Sequence, residues 1–394
     1  MEQQISPSSP EGRRILLVAF GATSSMVLGV SSIMPMVPTL ARTFAVSQTT
    51  ASLVITVFTL PGILFALLSG LLADRFGRRE VLAPSLGLFI VAGVACAFAD
   101  NFYLLLVLRF LQGMGAASLG VLNATIIADT WSGRTMSTMI GYNMTVLNVC
   151  TAIYPSLGGV LAHFGWRWPF LLPLLALPVF IAALRAKLAN PGKTGSFRQY
   201  LADVGRIFHS RRLVGLLCIT GVTFLLLYGP IITCFPVLAD HAFGSGPAAI
   251  GGAMAFSSIG AVLTASQLGR LYGRFSPRRL LMFSLILYVV SLLMLVNMPE
   301  LIWTLFPILL FGMGQGMNIP NVQSQLLSTA SAAQRASVMA VNGMLLRLGQ
   351  SLAPVTFSCI MGSMGIAWGF YAGIILAAII AVLALVFVPR HNSV

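Results

Sequence analysis

The sequence predicts an all-α membrane protein with 12 transmembrane helices, arranged as two six-helix bundles. Hydrophobic residues make up 57% of the chain and charged residues only 8%, whereas a soluble domain carries about 25% charged residues. The apolar residues form stretches of about 20, which is the length of helix that crosses a bilayer. In addition, one basic loop motif occurs twice, which indicates two similar halves in tandem.

The predicted spans follow one another in two sets of six. The first set lies near 15–40, 49–72, 81–99, 103–128, 137–162 and 168–186, and the second near 213–238, 248–269, 280–298, 301–328, 337–362 and 366–388. We therefore expect a cytoplasmic tail at 1–14, bundles at 15–186 and 213–388, a linker at 187–212 and a second tail at 389–394. Within the linker, apolar residues at helical spacing beside arginines predict an amphipathic helix on the inner membrane surface.

The distribution of positive charge predicts the orientation of the chain. With the N-terminus inside, 19 Lys and Arg residues fall on inner segments, and two, Arg42 and Arg167, fall on outer segments. Basic residues favour the cytoplasmic side of a membrane protein, so both termini are expected there. The net charge of +14 is thus explained by topology, and membrane lipids rather than nucleic acid are the expected partner.

The repeated motif lies in the loop after the second predicted span. Gly70, Leu72, Arg75, Phe76, Arg79 and Leu82 all recur 199 residues later. Asp74 does not, because Gly273 occupies the matching position. The first copy resembles the helix 2–3 loop signature of the major facilitator superfamily, and only Arg79, in place of Lys, departs from it. The resemblance implies the major facilitator fold and movement by alternating access.

The resemblance also implies a conformational latch in this loop. Its members in this chain would be Gly70, Asp74, Arg75, Gly77 and Arg78, together with Asp129 at the inner end of the fourth span. In the family these groups hold the outward-open state. The alternative is a permanent salt bridge at the helix ends, with a role in topology alone.

The fourth span contains a second family signature. The run Leu105-x3-Arg109-x2-Gln112-Gly113-x-Gly115-Ala116-Ala117 resembles it at every specified position. Arg109, Gln112 and Asn123 lie on one face of this helix. A guanidinium at this depth usually faces a bundle interior or a wet cavity, so Arg109 is a candidate for handling protons or anions. Alternatively, it only donates hydrogen bonds to carbonyl groups of neighbouring helices.

The fifth span matches part of the antiporter signature, which in the family marks exporters. The match includes Gly141, Pro155, Gly158 and Gly159, whereas Cys150 and Tyr154 replace two packing glycines. A kink at Pro155 and a close helix contact at the glycine pair are therefore expected.

Charged groups inside the spans predict the class of substrate. None of the nine acidic residues lies in the middle of a span, whereas Arg109 and Arg347 lie inside spans. A cavity lined by these arginines would be positive and would favour neutral or anionic amphiphiles over organic cations.

Other polar residues within the spans are candidates for binding the substrate. They are Gln315, Asn318 and Gln325 in the tenth span, Gln350 beside Arg347 in the eleventh, and the two tyrosines Tyr154 and Tyr228. Amide groups at this depth bind ligands in some proteins and join neighbouring helices in others. Ligand binding and helix joining both stay open for these residues. For the two tyrosines, a role in packing alone also stays open.

No enzyme signature occurs in the chain: it has no phosphate-binding loop, no paired carboxylates and no Cys/His cluster that would bind a metal. We therefore expect a transporter without a cofactor or metal, with the proton as coupling ion. The favoured function is proton-coupled efflux of small amphipathic compounds, including multidrug efflux, by a monomer in the bacterial inner membrane. The alternatives are uptake or facilitated transport of an anionic metabolite, and a non-transporting receptor on the same fold.

Overall fold

The computed structural model describes residues 5–131, 133–186, 188, 205, 207, 209–272, 274–330 and 335–388. Every regular element in these ranges is a helix. Most of the predicted linker 187–212, with its amphipathic helix, and the predicted tail 389–394 lie outside the described residues.

Twelve helical segments, which we label α1–α12, correspond to the twelve predicted spans. They are α1 (Pro10–Thr43), α2 (Gln48–Thr59 and Pro61–Phe76), α3 (Arg78–Cys96), α4 (Phe102–Thr130), α5 (Gly133–Phe164), α6 (Trp168–Arg185), α7 (Arg211–Phe243), α8 (Pro247–Ala265), α9 (Pro277–Val296), α10 (Leu301–Thr329), α11 (Arg335–Met364) and α12 (Ile366–Phe387). The predicted all-α fold is confirmed.

Two helices differ from the sequence-based expectation, one in where it begins and the other in being divided. Helix α1 begins at Pro10, inside the predicted tail 1–14, because the Ser9 hydroxyl accepts a hydrogen bond from the backbone N–H of Gly12 and caps the helix. Helix α2 is divided between Thr59 and Pro61, since proline cannot donate the backbone hydrogen bond that would continue the helix. Consequently, eleven of the described helices are long and apolar enough to cross a membrane, whereas α2 consists of two shorter helices.

Two other helices change their winding within the apolar region. Helix α6 begins as a 3₁₀-helix over Trp168–Ala176 and continues as an α-helix. Helix α7 contains a π-helical stretch, Tyr228–Cys234, around Pro230. There the Thr233 hydroxyl donates to the carbonyl of Tyr228, five residues earlier, at 2.8 Å. Such wide turns in membrane helices occur frequently at functional sites.

The internal repeat is present in the packing as well as in the sequence. Gly113 of α4 lies so close to Phe58 of α2 that a Cβ at the glycine would meet the Phe58 carbonyl oxygen. Gly312 of α10 lies in the same way against Ser257 of α8. Each residue of the second pair follows its counterpart by 199 positions. The two halves therefore use the same close helix contacts at matching positions.

The chain forms two compact units. One contains residues 1–33 and 57–195, and the other contains 34–56 and 196–394. The segment 34–56, which the sequence places in the first bundle, thus packs with helices of the second half. Hydroxyl groups of Thr49, Ser52 and Thr56 donate hydrogen bonds to backbone carbonyls of α11.

Large apolar side chains cover the outward faces of the helices. Val91 of α3, Ile375 of α12 and Val386 of α12 are all more than half exposed, at 69%, 59% and 68%. Contiguous apolar surface of this kind is not tolerated in water. Together with the lengths of the helices, it makes the chain a multi-pass integral membrane protein.

Candidate functional site

In the first unit, Arg78 and Asp129 form an ion pair at the loop between α2 and α3. The Arg78 Nε donates to the Asp129 Oδ2 at 2.8 Å, and the Arg78 side chain is only 7% exposed. Gly77 lets the chain turn between the two helices, since its φ of 112° suits glycine alone. The sequence motif thus joins the start of α3 to the end of α4.

The other described residues of the loop motif make fewer contacts. Arg75 is exposed, with its guanidinium 5.4 Å from the centre of the Phe76 ring. Gly70 has room for a side chain, because a Cβ there would meet Val121 at an ordinary distance of 3.8 Å. The side chain of Asp74 lies outside the part of the chain that the structure describes. The latch itself therefore stays a prediction.

Arg109 lies completely buried in the first unit. Its Nη1 donates to the Gln112 Oε1 at 2.8 Å, one helical turn along α4. Its guanidinium carbon lies 4.2 Å from the centre of the Phe58 ring, which is a cation–π distance. Arg109 and Gln112 are thus brought together as the sequence predicts, and Phe58 joins them.

Asn123, the third polar residue on this face of α4, belongs to a separate group. Its Nδ2 donates to the Thr23 hydroxyl of α1 at 2.7 Å, and that hydroxyl donates to the Asn143 Oδ1 of α5 at 2.6 Å. All three residues are buried. The sequence analysis did not single out Asn143 as a site residue.

Residues of the antiporter signature join α5 to α1. A Cβ at Gly158 would fall on the carbonyl oxygen of Ser32, and the Tyr154 hydroxyl hydrogen-bonds with Ser24. Pro155 and Gly159 are buried, and α5 continues through Pro155 without ending there. Gly141, by contrast, has open space where a side chain would be. The close contact therefore lies at Gly158.

In the second unit, α7 and α11 are joined in a corresponding way. The Thr220 hydroxyl of α7 donates to the Asn342 Oδ1 of α11 at 2.7 Å. Farther along the same two helices, the Gln350 Nε2 donates to the Tyr228 hydroxyl at 2.9 Å. Tyr228 begins the π-helical stretch of α7 and also interacts electrostatically with the partly buried Arg347. The sequence-predicted residues Tyr228, Arg347 and Gln350 are thus neighbours.

The three predicted residues of α10 do not form one group. Asn318 is fully buried and lines a small cavity. Gln325 accepts a hydrogen bond from the Arg212 Nη2 of α7 at 3.3 Å. Gln315 is partly buried. Among the residues described, these amides therefore have different surroundings, although one helix face was expected to present them together.

A further ion pair of the second unit was missed by the sequence analysis. The Arg42 Nη1 donates to both carboxylate oxygens of Asp240, at 2.7 and 2.6 Å. Arg42 belongs to the outer end of α1 and Asp240 to α7, which are far apart in sequence. The one signal for this ion pair in the sequence was that Arg42 is one of only two basic residues on the predicted outer segments.

No group of three or more His, Cys, Asp or Glu residues that could hold a metal ion occurs among the described residues. The five cysteines Cys96, Cys150, Cys218, Cys234 and Cys359 are all unpaired. The polar groups around Arg109, Asn318 and Tyr228 are amides, hydroxyls and guanidinium groups, which can hydrogen-bond a small molecule.

Comparison with known proteins relates this chain to transporters. The sequence model of the Major Facilitator Superfamily matches residues 19–239 and 217–394. Multidrug resistance protein MdtL of Escherichia coli O139:H28 is 27% identical over 394 residues, covering 97% of each chain. The bacillibactin exporter of Bacillus subtilis strain 168 is 26% identical over 355 residues, covering 86% of this chain and 87% of the exporter.

Solved structures share the fold. The xylose transporter XylE of Escherichia coli, in a partially occluded inward-open conformation, has a TM-score of 0.76 with 15% sequence identity. The similarity covers 98% of this chain and all of XylE. This likeness confirms the twelve-helix architecture.

Proposed function

Because the chain belongs to the Major Facilitator Superfamily, we propose that it exports small neutral or anionic amphipathic compounds across the bacterial inner membrane in exchange for protons. The similarity to the bacillibactin exporter, over 86% of this chain, supports the direction of transport, and the similarity to a multidrug resistance protein is in keeping with it. It also supports a transporter over an enzyme. The proposal places both termini in the cytoplasm, in keeping with the basic inner loops.

The substrate class follows from the charges inside the spans. Arg109 is buried beside Gln112 and Phe58 in the first unit, and Arg347 lies beside Tyr228 in the second. All nine acidic residues lie outside the middle of the predicted spans. A lipophilic cation would therefore meet positive charge without a compensating carboxylate. This observation supports neutral and anionic substrates.

The coupling ion follows from the chemistry that is present. The sequence contains no phosphate-binding loop for a nucleotide, so transport must draw on an ion gradient or run downhill. We propose the proton, by the resemblance of α5 to the antiporter signature. Arg109 is the proposed coupling residue: its guanidinium would favour the deprotonated form of an acidic group on the substrate.

The proposal is tested with purified protein in liposomes that carry an imposed pH gradient, acidic inside. We expect accumulation of chloramphenicol (neutral) or nalidixate (anionic) inside these vesicles, and loss of that accumulation when nigericin collapses the gradient. Empty liposomes and the variant Arg109→Ala serve as controls.

Three results would contradict the proposal in different ways. Accumulation driven by the opposite gradient would indicate uptake by symport. Entry of the compounds only until the inside and outside concentrations are equal, at a rate that is insensitive to nigericin, would indicate facilitated transport. Binding of these compounds without any transport would indicate a receptor.

A further inference from the structure

A three-residue polar group occurs once in each unit. In both units a threonine of the first helix donates to an asparagine of the fifth: Thr23 to Asn143, and Thr220 to Asn342. The two asparagines are 199 residues apart, which is the spacing of the loop repeat. An asparagine of the fourth helix lies near each pair, Asn123 in α4 and Asn318 in α10, although these two asparagines are 195 residues apart and the 199-residue repeat does not align them.

In the first unit this group is closed. The Asn123 Nδ2 donates to the Thr23 hydroxyl at 2.7 Å, and the Asn123 Oδ1 accepts from the backbone N–H of Ala124 at 2.5 Å. Both polar atoms of the Asn123 amide are therefore used within the unit. Such an arrangement joins α1, α4 and α5.

In the second unit the group is open. The Asn318 Oδ1 accepts a long hydrogen bond of 3.4 Å from the Thr223 hydroxyl. The Asn318 Nδ2 is buried and has no partner among the described residues, and the side chain is 0% exposed. Buried amide groups in proteins are nearly always hydrogen-bonded, because an unpaired donor is unfavourable. Asn318 therefore retains a donor that the fold does not use.

The cavity beside Asn318 has room for one small group. It lies among α7, α10 and α11, and its walls include Thr220, Thr223, Phe224, Asn318, Gln323 and Asn342. No ionisable side chain lines it. Its free space accepts about one oxygen atom, such as that of a carbonyl group or of one water molecule. A charged group would enter without a counter-charge, which favours an uncharged one.

We propose that the Asn318 Nδ2 donates a hydrogen bond to an uncharged oxygen of the exported compound, such as the carbonyl of a ketone, ester or amide. Phe224, Ile319 and Val322 supply the apolar wall that an amphipathic compound requires beside that oxygen. The inference rests on the proposed function and narrows it: compounds with a carbonyl are preferred over hydrocarbons of the same shape. Asn123 of the first unit, which hydrogen-bonds to Thr23, has a structural role instead.

The test uses two neutral compounds that differ by one oxygen. Benzophenone has a carbonyl where diphenylmethane has a methylene group. Dissociation constants of both are measured by calorimetry on the purified parent and on two variants. Asn318→Leu keeps a side chain of similar size but removes the donor, and Asn318→Ala removes the whole amide. Size-exclusion chromatography identifies the variants that remain folded.

We expect the parent to bind benzophenone about tenfold more tightly than diphenylmethane, which corresponds to one net hydrogen bond. In both variants the ratio should fall to about one, while diphenylmethane binds as before. An equal affinity of the parent for the two compounds overturns the inference, with or without folded variants. A preference that persists in a folded variant also overturns it, and the cavity then holds water alone.

The failure of this inference is distinguishable from failure of the proposed function. The transport assay with chloramphenicol and nalidixate does not involve the benzophenone pair. Transport that is coupled to the pH gradient, together with equal binding of benzophenone and diphenylmethane, would support the proposed function and contradict the proposed role of Asn318. The absence of transport would remove both.

Discussion

At the scale of single residues, Arg109 places a guanidinium group in the fully buried interior of the first unit. A guanidinium away from water is costly unless hydrogen bonds and opposite charges compensate it. Here the side-chain amide of Gln112 and the face of the Phe58 ring provide part of that compensation. Both of these groups are uncharged.

We predict that Arg109→Ala abolishes transport, because it removes the charge on which the proposed coupling depends. Arg109→Lys should retain less than a tenth of the parent rate, since an ammonium group lacks the planar shape that lies over Phe58 and donates to Gln112. Initial rates in proteoliposomes, normalised to the amount of folded protein, provide the measurement. Full activity of the Ala variant would reduce Arg109 to a structural role.

A second prediction concerns the ion pair of Arg78 with Asp129. Arg78 is buried and paired, whereas its neighbour Arg79 is exposed. Arg78→Ala should therefore slow transport at least severalfold, because it removes one arrangement of a two-state loop, and Arg79→Ala should change the rate by less than twofold. We expect Asp74→Asn to behave like Arg78→Ala, as the latch hypothesis requires.

Both loop variants should remain folded in the membrane, as judged by expression and monodispersity. Parent-like transport by Arg78→Ala and Asp74→Asn together would contradict the latch and would leave the permanent salt bridge as the role of this pair.

At the scale of helices, α5 offers a matched pair of glycines. Gly158 lies against the backbone carbonyl of Ser32 in α1, and Gly141 faces open space. We predict that Gly158→Ala lowers the free energy of unfolding by about 1–3 kcal/mol, since a backbone atom must move to admit the methyl group. Gly141→Ala should be neutral or stabilising by up to about 1 kcal/mol, because alanine favours the helix.

Thermal denaturation of both variants in detergent measures this difference. Equal melting temperatures of the two variants would show that the surviving glycines of the antiporter signature do not determine the packing of α5 on α1.

The sequence was sufficient to predict the helices but not to predict the contacts between the helices. Apolar length predicts a span because the bilayer fixes that length, and the twelve helices followed. The division of α2 at Pro61 was readable from the proline, yet the prediction 49–72 ran through it. The packing of 34–56 with the second half depends on tertiary contacts such as Arg42 with Asp240, which no local pattern encodes.

The candidate site shows the same limit. A signature and a helical face predicted that Arg109 and Gln112 lie together, and they do. Phe58 lies on another helix, so the spacing of residues along α4 could not predict its contact with Arg109. Asn143 and Asn342 could have been found, because they follow the 199-residue repeat, but only their hydrogen bonds to threonines reveal their role.

At the scale of the whole molecule, two homologous halves have become chemically different. The loop acid Asp74 of the first half is replaced by Gly273 in the second, and Asn123 donates a hydrogen bond within the first half, whereas the Asn318 Nδ2 of the second half has no partner among the described residues. The buried cation Arg109 corresponds in the repeat to Ile308, whereas Arg347 of the second half corresponds to Asn148. Each half therefore contributes one arginine within its spans, at positions that are not equivalent, and no half contributes a mid-span carboxylate.

The central claim is that these charges select neutral and anionic compounds for export. A unit charge within about 6 Å of one guanidinium is favoured or opposed by about 3 kcal/mol at an effective dielectric of about 20, which corresponds to more than a hundredfold in affinity. The most direct test is competitive binding of nalidixate, chloramphenicol and ethidium to the purified parent and to Arg347→Gln. We predict that ethidium binds most weakly to the parent, and that Arg347→Gln weakens nalidixate more than chloramphenicol. Tight binding of ethidium that is unchanged in Arg347→Gln would contradict the claim and would indicate an exporter of organic cations.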